Sequence, residues 1–202
     1  MQGSSTQADP SLLHVVAIGA SAGGFSAVRE ILEALPDDFP APILVVQHLD
    51  PRQPSLMAEL LDRRSALDVR EAQEHETLVA GTVLIAPPDH HLIASADGTV
   101  SIAQTARVHY VRPAADVLFL SVAGSYRDRA VAVVLSGTGE DGSQGVQAIK
   151  EKGGTVIVQD EASSQFTGMP HAAIRTGCVD HVVPLSDIAG LLDRVVRLGA
   201  PA

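Results

Sequence analysis

The chain has 202 residues, of which 46% are hydrophobic and 19% charged, a balance that lets a single domain bury a full-sized core and excludes intrinsic disorder. Its net charge of -10, from 14 basic against 24 acidic residues, repels phosphate backbones and excludes nucleic acid as the expected partner. Aromatics make up only 3% and Trp is absent, so the core must be built from Val, Ile, Leu and Ala, the composition of buried parallel strands covered by helices.

In chain order, "MQGSSTQADPS" (1–11) has neither a basic start nor an apolar run and reads as a disordered leader or expression remnant, with one domain from 12 to 202. Short apolar runs predict strands at "HVVAIG" (14–19), "APILVVQH" (41–48), "GTVLIAP" (81–87), "AVAVVLS" (130–136), "TVIVQD" (155–160) and "CVDHVVP" (178–184). Helical spacing fills the gaps, at 24–35, 54–64, 113–125, 142–152, 170–176 and 185–198. "HLIASADGTVSIAQ" (91–104) breaks the alternation, because "DG" between two apolar-polar runs signals an antiparallel hairpin. The expected fold is therefore α/β, a doubly wound, mostly parallel sheet with an appended antiparallel hairpin. No apolar stretch reaches the roughly 20 residues that cross a bilayer, so membrane insertion is not expected. The lone Cys178 cannot form an internal disulfide, which fits a reducing cytoplasm.

In open parallel sheets ligands bind beyond the carboxyl ends of the strands. Three predicted strands end there in groups of chemical use: Ser21 in "GASAGG", His48 in "VVQH" and Asp141 in "LSGTGEDG". A hydroxyl, an imidazole and a carboxylate are the parts of an activated nucleophile: the serine attacks, the imidazole takes its proton and the carboxylate orients the imidazole. Each also has a structural reading. Ser21 and Asp141 are good N-caps for the helices that follow them, and His48 could be a satisfied histidine at a strand end. Three independent accidents would rarely place the full set at one rim. A dinucleotide site would need GxGxxG with an acid about 20 residues on, whereas Ser21 replaces the middle glycine and the second strand ends in Gln47-His48. No Walker GK[ST] occurs. "GASAG" also fits the GxSxG elbow of α/β hydrolases, but there the partners follow as acid then His, and here the order is Ser, His, acid. Gly19, Gly23 and Gly24 permit a tight turn, and the helix starting near 23 aims unpaired N–H groups at whatever the hydroxyl attacks.

Other polar clusters are weaker candidates. Asp89-His90-His91 could suggest a metal, but adjacent histidines in a strand point to opposite faces, so no metal is expected. His171 in "GMPHAAI" lies at a predicted helix start, and Met169 and Pro170 are expected to shape a pocket wall. Arg63, Arg64, Arg107 and Arg112 are the scattered basic residues able to meet an acidic partner helix.

The stretches "IGASAGG", "VVQHLDP", "APPDHHL", "RPAADVLFLSVA", "VVLSGTGEDGSQGVQAIKEKGGTVIVQD" and "FTGMPHAAI" resemble, in order, the catalytic domain of the chemotaxis protein-glutamate methylesterases, the CheB family, over residues 14 to 195. The resemblance implies a three-layer sheet of about seven mostly parallel strands with helices on both faces. It implies Ser21 as nucleophile, His48 as base and Asp141 as third member, with Ala22, Gly23, Thr138 and Met169 at the oxyanion region and pocket. It further implies a cytoplasmic hydrolase of chemotaxis signal transduction that needs no cofactor. Its substrate would be the glutamate γ-methyl ester on chemoreceptor cytoplasmic helices, with receptor glutamines as further substrates in some members. Many relatives begin with a receiver domain, which is not expected here, so aspartyl-phosphate control within the chain is not expected either. "SGTGEDG" and "PPDHHL" look more like esterase modules joined to a receptor methyltransferase, which would make that enzyme a partner, fused or in trans. Thr138 stands where relatives often have Met. The competing readings are a low-activity or inactive esterase-like module that docks on receptors or a partner methyltransferase, and a nucleotide-binding α/β protein.

Overall fold

In a computed structural model, residues 13–48 and 55–198 are described; the expected leader and the first residue of the helix expected at 54–64 lie outside them. In chain order the elements are β1 (Val15–Ala20), α1 (Gly24–Ala34), β2 (Ile43–Gln47), α2 (Met57–Asp62), β3 (Asp68–Glu71), β4 (Thr82–Ile85), β5 (His91–Ala94), β6 (Val100–Ala103), α3 (Ala115–Tyr126), β7 (Ala130–Val134), α4 (Ser143–Glu151), β8 (Thr155–Gln159), α5 (Gly168–Arg175), β9 (His181–Val183) and α6 (Leu185–Leu198). Seven strands form one sheet in the order β3-β4-β2-β1-β7-β8-β9, with every neighbouring pair parallel.

The central strands are buried on both faces, which explains why they read as unbroken apolar runs rather than alternating ones. Alternate residues nevertheless serve different layers. Val16, Ile18 and Val133 join α1, α2 and α6 in one apolar cluster, whereas Val15, Ala17 and Val134 join α3, α4 and α5 in the other. The hairpin turns at Asp97-Gly98 and forms a two-stranded sheet of its own, β5 with β6. It lies against α3: Ala94 N–H donates to Ser121 Oγ at 3.0 Å, and Ser125 Oγ and Tyr126 Oη donate to Ala94 O and Ser95 O, at 3.1 and 3.0 Å. One strand was not foreseen. β3, "DVRE", sits at a sheet edge and buries only Val69, so its charged residues give no apolar run to read.

From β1 the chain passes to β2 and the edge strand β3, doubles back to β4 between them, then crosses to β7 beside β1 and proceeds the other way to β8 and β9. The reversal between β1 and β7 leaves a crevice at their carboxyl ends. α3 reaches that crevice because fully buried Phe119 lies over glycines: a Cβ at Gly19 would stand 3.1 Å from its ring, and one at Gly145, in the first turn of α4, only 2.4 Å from its Cβ. Gly145→Ala is therefore expected to push α3 and α4 apart and destabilise the protein by about 1–3 kcal/mol, read as a lower melting temperature in a thermal scan.

Candidate active site

The loop after β1 is held by its neighbours on both sides. Ser21 N–H donates to Ser136 O, just past β7, at 3.0 Å, and His48 N–H, just past β2, donates to Ala20 O at 3.1 Å. Ser136 Oγ donates to Ala22 O at 2.8 Å and accepts Phe166 N–H at 3.0 Å. The buried Gln47 side chain crosses beneath, its Nε2 donating to Ser21 O at 2.7 Å and His48 O at 3.2 Å. α1 is capped at Gly23, in the left-handed region at φ 76°, with no side-chain cap. Ser21 is thus not the helix cap. A glycine at 23 is what lets the chain turn from Ser21 straight into a helix.

Asp141 and His48 meet. His48 Nε2 lies 2.8 Å from Asp141 Oδ2, with 3% of the aspartate side chain exposed. Asp141 does not cap the helix it precedes; α4 is capped at Gly142 without side-chain help. Its carboxylate instead takes two N–H groups from the first turn of α3, Ala115 at 2.6 Å and Asp116 at 3.0 Å. Burial opposes ionisation of Asp141, but the hydrogen bonds from His48 and from the Asp116 and Ala115 amides outweigh it and hold its carboxyl below the usual aspartate range. An ionised Asp141 accepts, so His48 Nε2 carries the proton, and Nδ1 makes no hydrogen bond among the described residues.

Asp116 returns the exchange. Its Oδ1 accepts Gly145 N–H from the first turn of α4 at 2.7 Å, and its Oδ2 lies 2.9 Å from His109 Nε2. Burial pushes Asp116 up, aided by the negative charge of Asp141, against the lowering from Gly145 and His109. Ligand atoms of His109, Asp116 and Asp141 lie within 4.8 Å of one another, the spacing of a cation site. Both carboxylates already accept protein N–H groups, and His109 Nε2 is hydrogen-bonded to Asp116 Oδ2.

The oxyanion candidates lie at the same rim. Among the described residues, the amides of Ala22, Gly23 and Thr138 donate to no protein acceptor. Met169 is buried and places its thioether against Gly137, the residue before Thr138, with Ser21 Cβ on the same side. Gly137 is pinned by Phe166 O at 3.0 Å and by Met169 N–H at 2.9 Å. Among the described residues Ser21 Oγ makes no hydrogen bond to His48; such contacts commonly tighten only in the substrate complex. A cavity of about 400 Å³ opens beside the rim between His109, Glu140, Gly168, His171 and Arg175.

The remaining candidates are dispersed. Asp89 pairs with Arg112 at 2.8 Å, and His90 Nδ1 binds Pro88 O at 2.8 Å. His91 is fully buried: Ala114 N–H donates to its Nδ1 at 3.2 Å and its Nε2 reaches Ala106 O at 3.0 Å, which anchors the start of α3. These three side chains do not converge. His171 approaches Glu161 at 3.4 Å, Arg63 pairs with Glu59, Arg64 with Glu33 and Arg107 with Asp89. Sequence reasoning passed over Gln47, His109, Asp116 and Ser136. The first of these sits beside His48 in "VVQH", the only hint the chain offered.

With its lowered carboxyl, Asp141 contributes stability that is in place at neutral pH, above its unfolded value, and is lost as pH falls through its folded value. Asp141→Asn, which turns a donor toward the α3 amides, is expected to lose about 1–3 kcal/mol at neutral pH. The gap to the wild type should narrow in acid, as urea titrations at the two pH values would show.

The CheB methylesterase family matches residues 16–192. A "Protein-glutamate methylesterase/protein-glutamine glutaminase" of Moorella thermoacetica is 45% identical over 181 residues, 88% of this chain and 43% of that protein. One from Anaeromyxobacter dehalogenans is 43% identical over 185 residues, 92% of this chain and 54% of that protein. The chain thus spans about half the length of these relatives, although it covers 93% of a Leptospira interrogans protein that is 39% identical. The crystal structure of the Thermotoga maritima CheB methylesterase catalytic domain superposes with a TM-score of 0.88 at 38% identity, over 91% of this chain and 99% of that one. On sequence and fold together, this chain belongs to the CheB methylesterase family.

Proposed function

We propose that the chain is a protein-glutamate methylesterase that removes γ-methyl esters from glutamates on chemoreceptor cytoplasmic helices and releases methanol. The observation that carries this reading is the buried, ionised Asp141 bonded to His48 at the rim where Ser21 and three undonated amides also stand. Ser21 Oγ attacks the ester carbonyl as its proton passes to His48 Nδ1. The oxyanion takes hydrogen bonds from the amides around Ala22, Gly23 and Thr138. His48 returns the proton to the leaving methoxide, methanol departs, and a glutamyl ester on Ser21 remains. Water, deprotonated by the same imidazole, then frees the glutamate and restores the serine.

Here the ring nitrogens exchange the roles they have in the serine-protease arrangement, where Nδ1 faces the acid and Nε2 the serine. Nothing in the chemistry forbids this, since either nitrogen can act as base once the other is held by a carboxylate. The same cycle on a receptor glutamine would release ammonia, in keeping with the double name the relatives carry. The cytoplasm is the place where such helices are met, and among the described residues no helix is long and apolar enough to cross a membrane.

Ser21→Ala and His48→Ala are each expected to lower methanol release from methylated receptor by about 10⁴- to 10⁶-fold while the fold persists. Wild-type release by Ser21→Ala would overturn the scheme. Labelling of Ser21 by a fluorophosphonate separates this enzyme from a docking module, which would not react.

A further inference from the structure

We propose that Gln47 is a positioning residue for this reaction, its side-chain amide clamping the main chains of nucleophile and base together. This rests on the assignment of Ser21 and His48 above. Gln47 is the last residue of β2 and 5% exposed. Its Nε2 donates to the carbonyl of Ser21, 26 residues away in sequence, at 2.7 Å and to that of His48 at 3.2 Å. Ser21 O also receives Gly24 N–H at 2.8 Å, so the carbonyl of the attacking residue is fixed from two sides.

The other half of the amide points to the role. Gln47 Oε1 is buried and has no partner among the described residues; it lies against Gly24, where a Cβ would stand 2.5 Å from it. A buried glutamine kept for stability is expected to satisfy both ends of its amide. Here the acceptor is orphaned, while the donor is spent on the two residues whose spacing sets proton transfer. The amide is also the group the task requires: one planar nitrogen with two donors can hold two acceptors at once without bringing a charge into the interior.

The test compares wild type, Gln47→Met, Gln47→Glu and Ser21→Ala for the rate of fluorophosphonate labelling at Ser21, steady-state methanol release and thermal melting. Gln47→Met keeps length and shape but removes both the clamp and the orphaned oxygen. It is expected to melt at or above the wild-type temperature, to label about 100-fold more slowly, and to lose kcat with KM unchanged, the signature of misplaced reacting groups. Gln47→Glu keeps the shape without the paired donors and should also label slowly while remaining folded by circular dichroism. Labelling at the wild-type rate by either variant would overturn the proposal. So would a loss of labelling in Gln47→Met that follows a lowered melting temperature and is regained on cooling, since the residue would then serve the fold alone. If wild type labels but releases no methanol, the substrate assignment fails, while the labelling comparison still decides the role of Gln47. If wild type does not label, both fail.

Discussion

The carboxylate of Asp141 is held by the main chain of a helix to which it does not belong, and the site depends on that grip. Asp141 precedes α4 yet takes the first amides of α3; Asp116, in the first turn of α3, takes an amide from the first turn of α4. The loop entering α4 thus supplies the anion for the N-terminus of α3, and α3 supplies one for the N-terminus of α4, where unpaired N–H groups and the helix dipole favour negative charge. Charge-assisted bonds of this kind are roughly twice as strong as neutral ones, which is how a carboxylate with 3% of its side chain exposed stays ionised. Without the grip, burial would push the carboxyl up and weaken the anion that faces the His48 ring.

The two acids sit side by side, and their surroundings drive them apart. Asp141 has His48 and two amides; Asp116 has one amide, His109 and the repulsion of Asp141. Such divergence of neighbouring carboxyls marks out which one can serve as a fixed anion. The arrangement reaches further into the fold than the rim. Phe119 brings α3 down over Gly19 and against Gly145, the hairpin braces α3 through Ser121, Ser125 and Tyr126, and His91 holds the amide just before its first turn. The appended ribbon therefore sets the position of the acid without touching it.

Gln47 shows the opposite economy. A buried acceptor without a partner, as its Oε1 is among the described residues, costs about 1–3 kcal/mol, and the fold carries that cost where the side chain ties the loops of Ser21 and His48. Departures from full polar satisfaction are expected at functional sites, where geometry rather than stability sets the requirement.

Much of this molecule was legible in its residues. Unbroken apolar runs such as "HVVAIG" and "TVIVQD" named the buried parallel strands, "DG" named the hairpin, and the rule that parallel sheets work at their carboxyl ends singled out Ser21, His48 and Asp141. These are properties of local pattern, which a chain carries wherever it goes. What the chain could not display was partnership between distant elements. The structural alternative for Asp141, the cap of its own helix, is local in sequence, yet Gly142 takes that place and the carboxylate turns to α3. Gln47, Asp116 and His109 carried no periodic or motif signal, since their importance lies in which amide or carbonyl they meet across 26, 29 and 7 positions of sequence. Composition and periodicity determined the sheet and the chemical groups at its rim; the packing of α3 against α4 decided that Asp141 is the acid with the lowered carboxyl, and the meeting of the β1, β2 and β7 ends decided how Ser21 is held, because hydrogen bonds between separate elements exist only once the chain has folded.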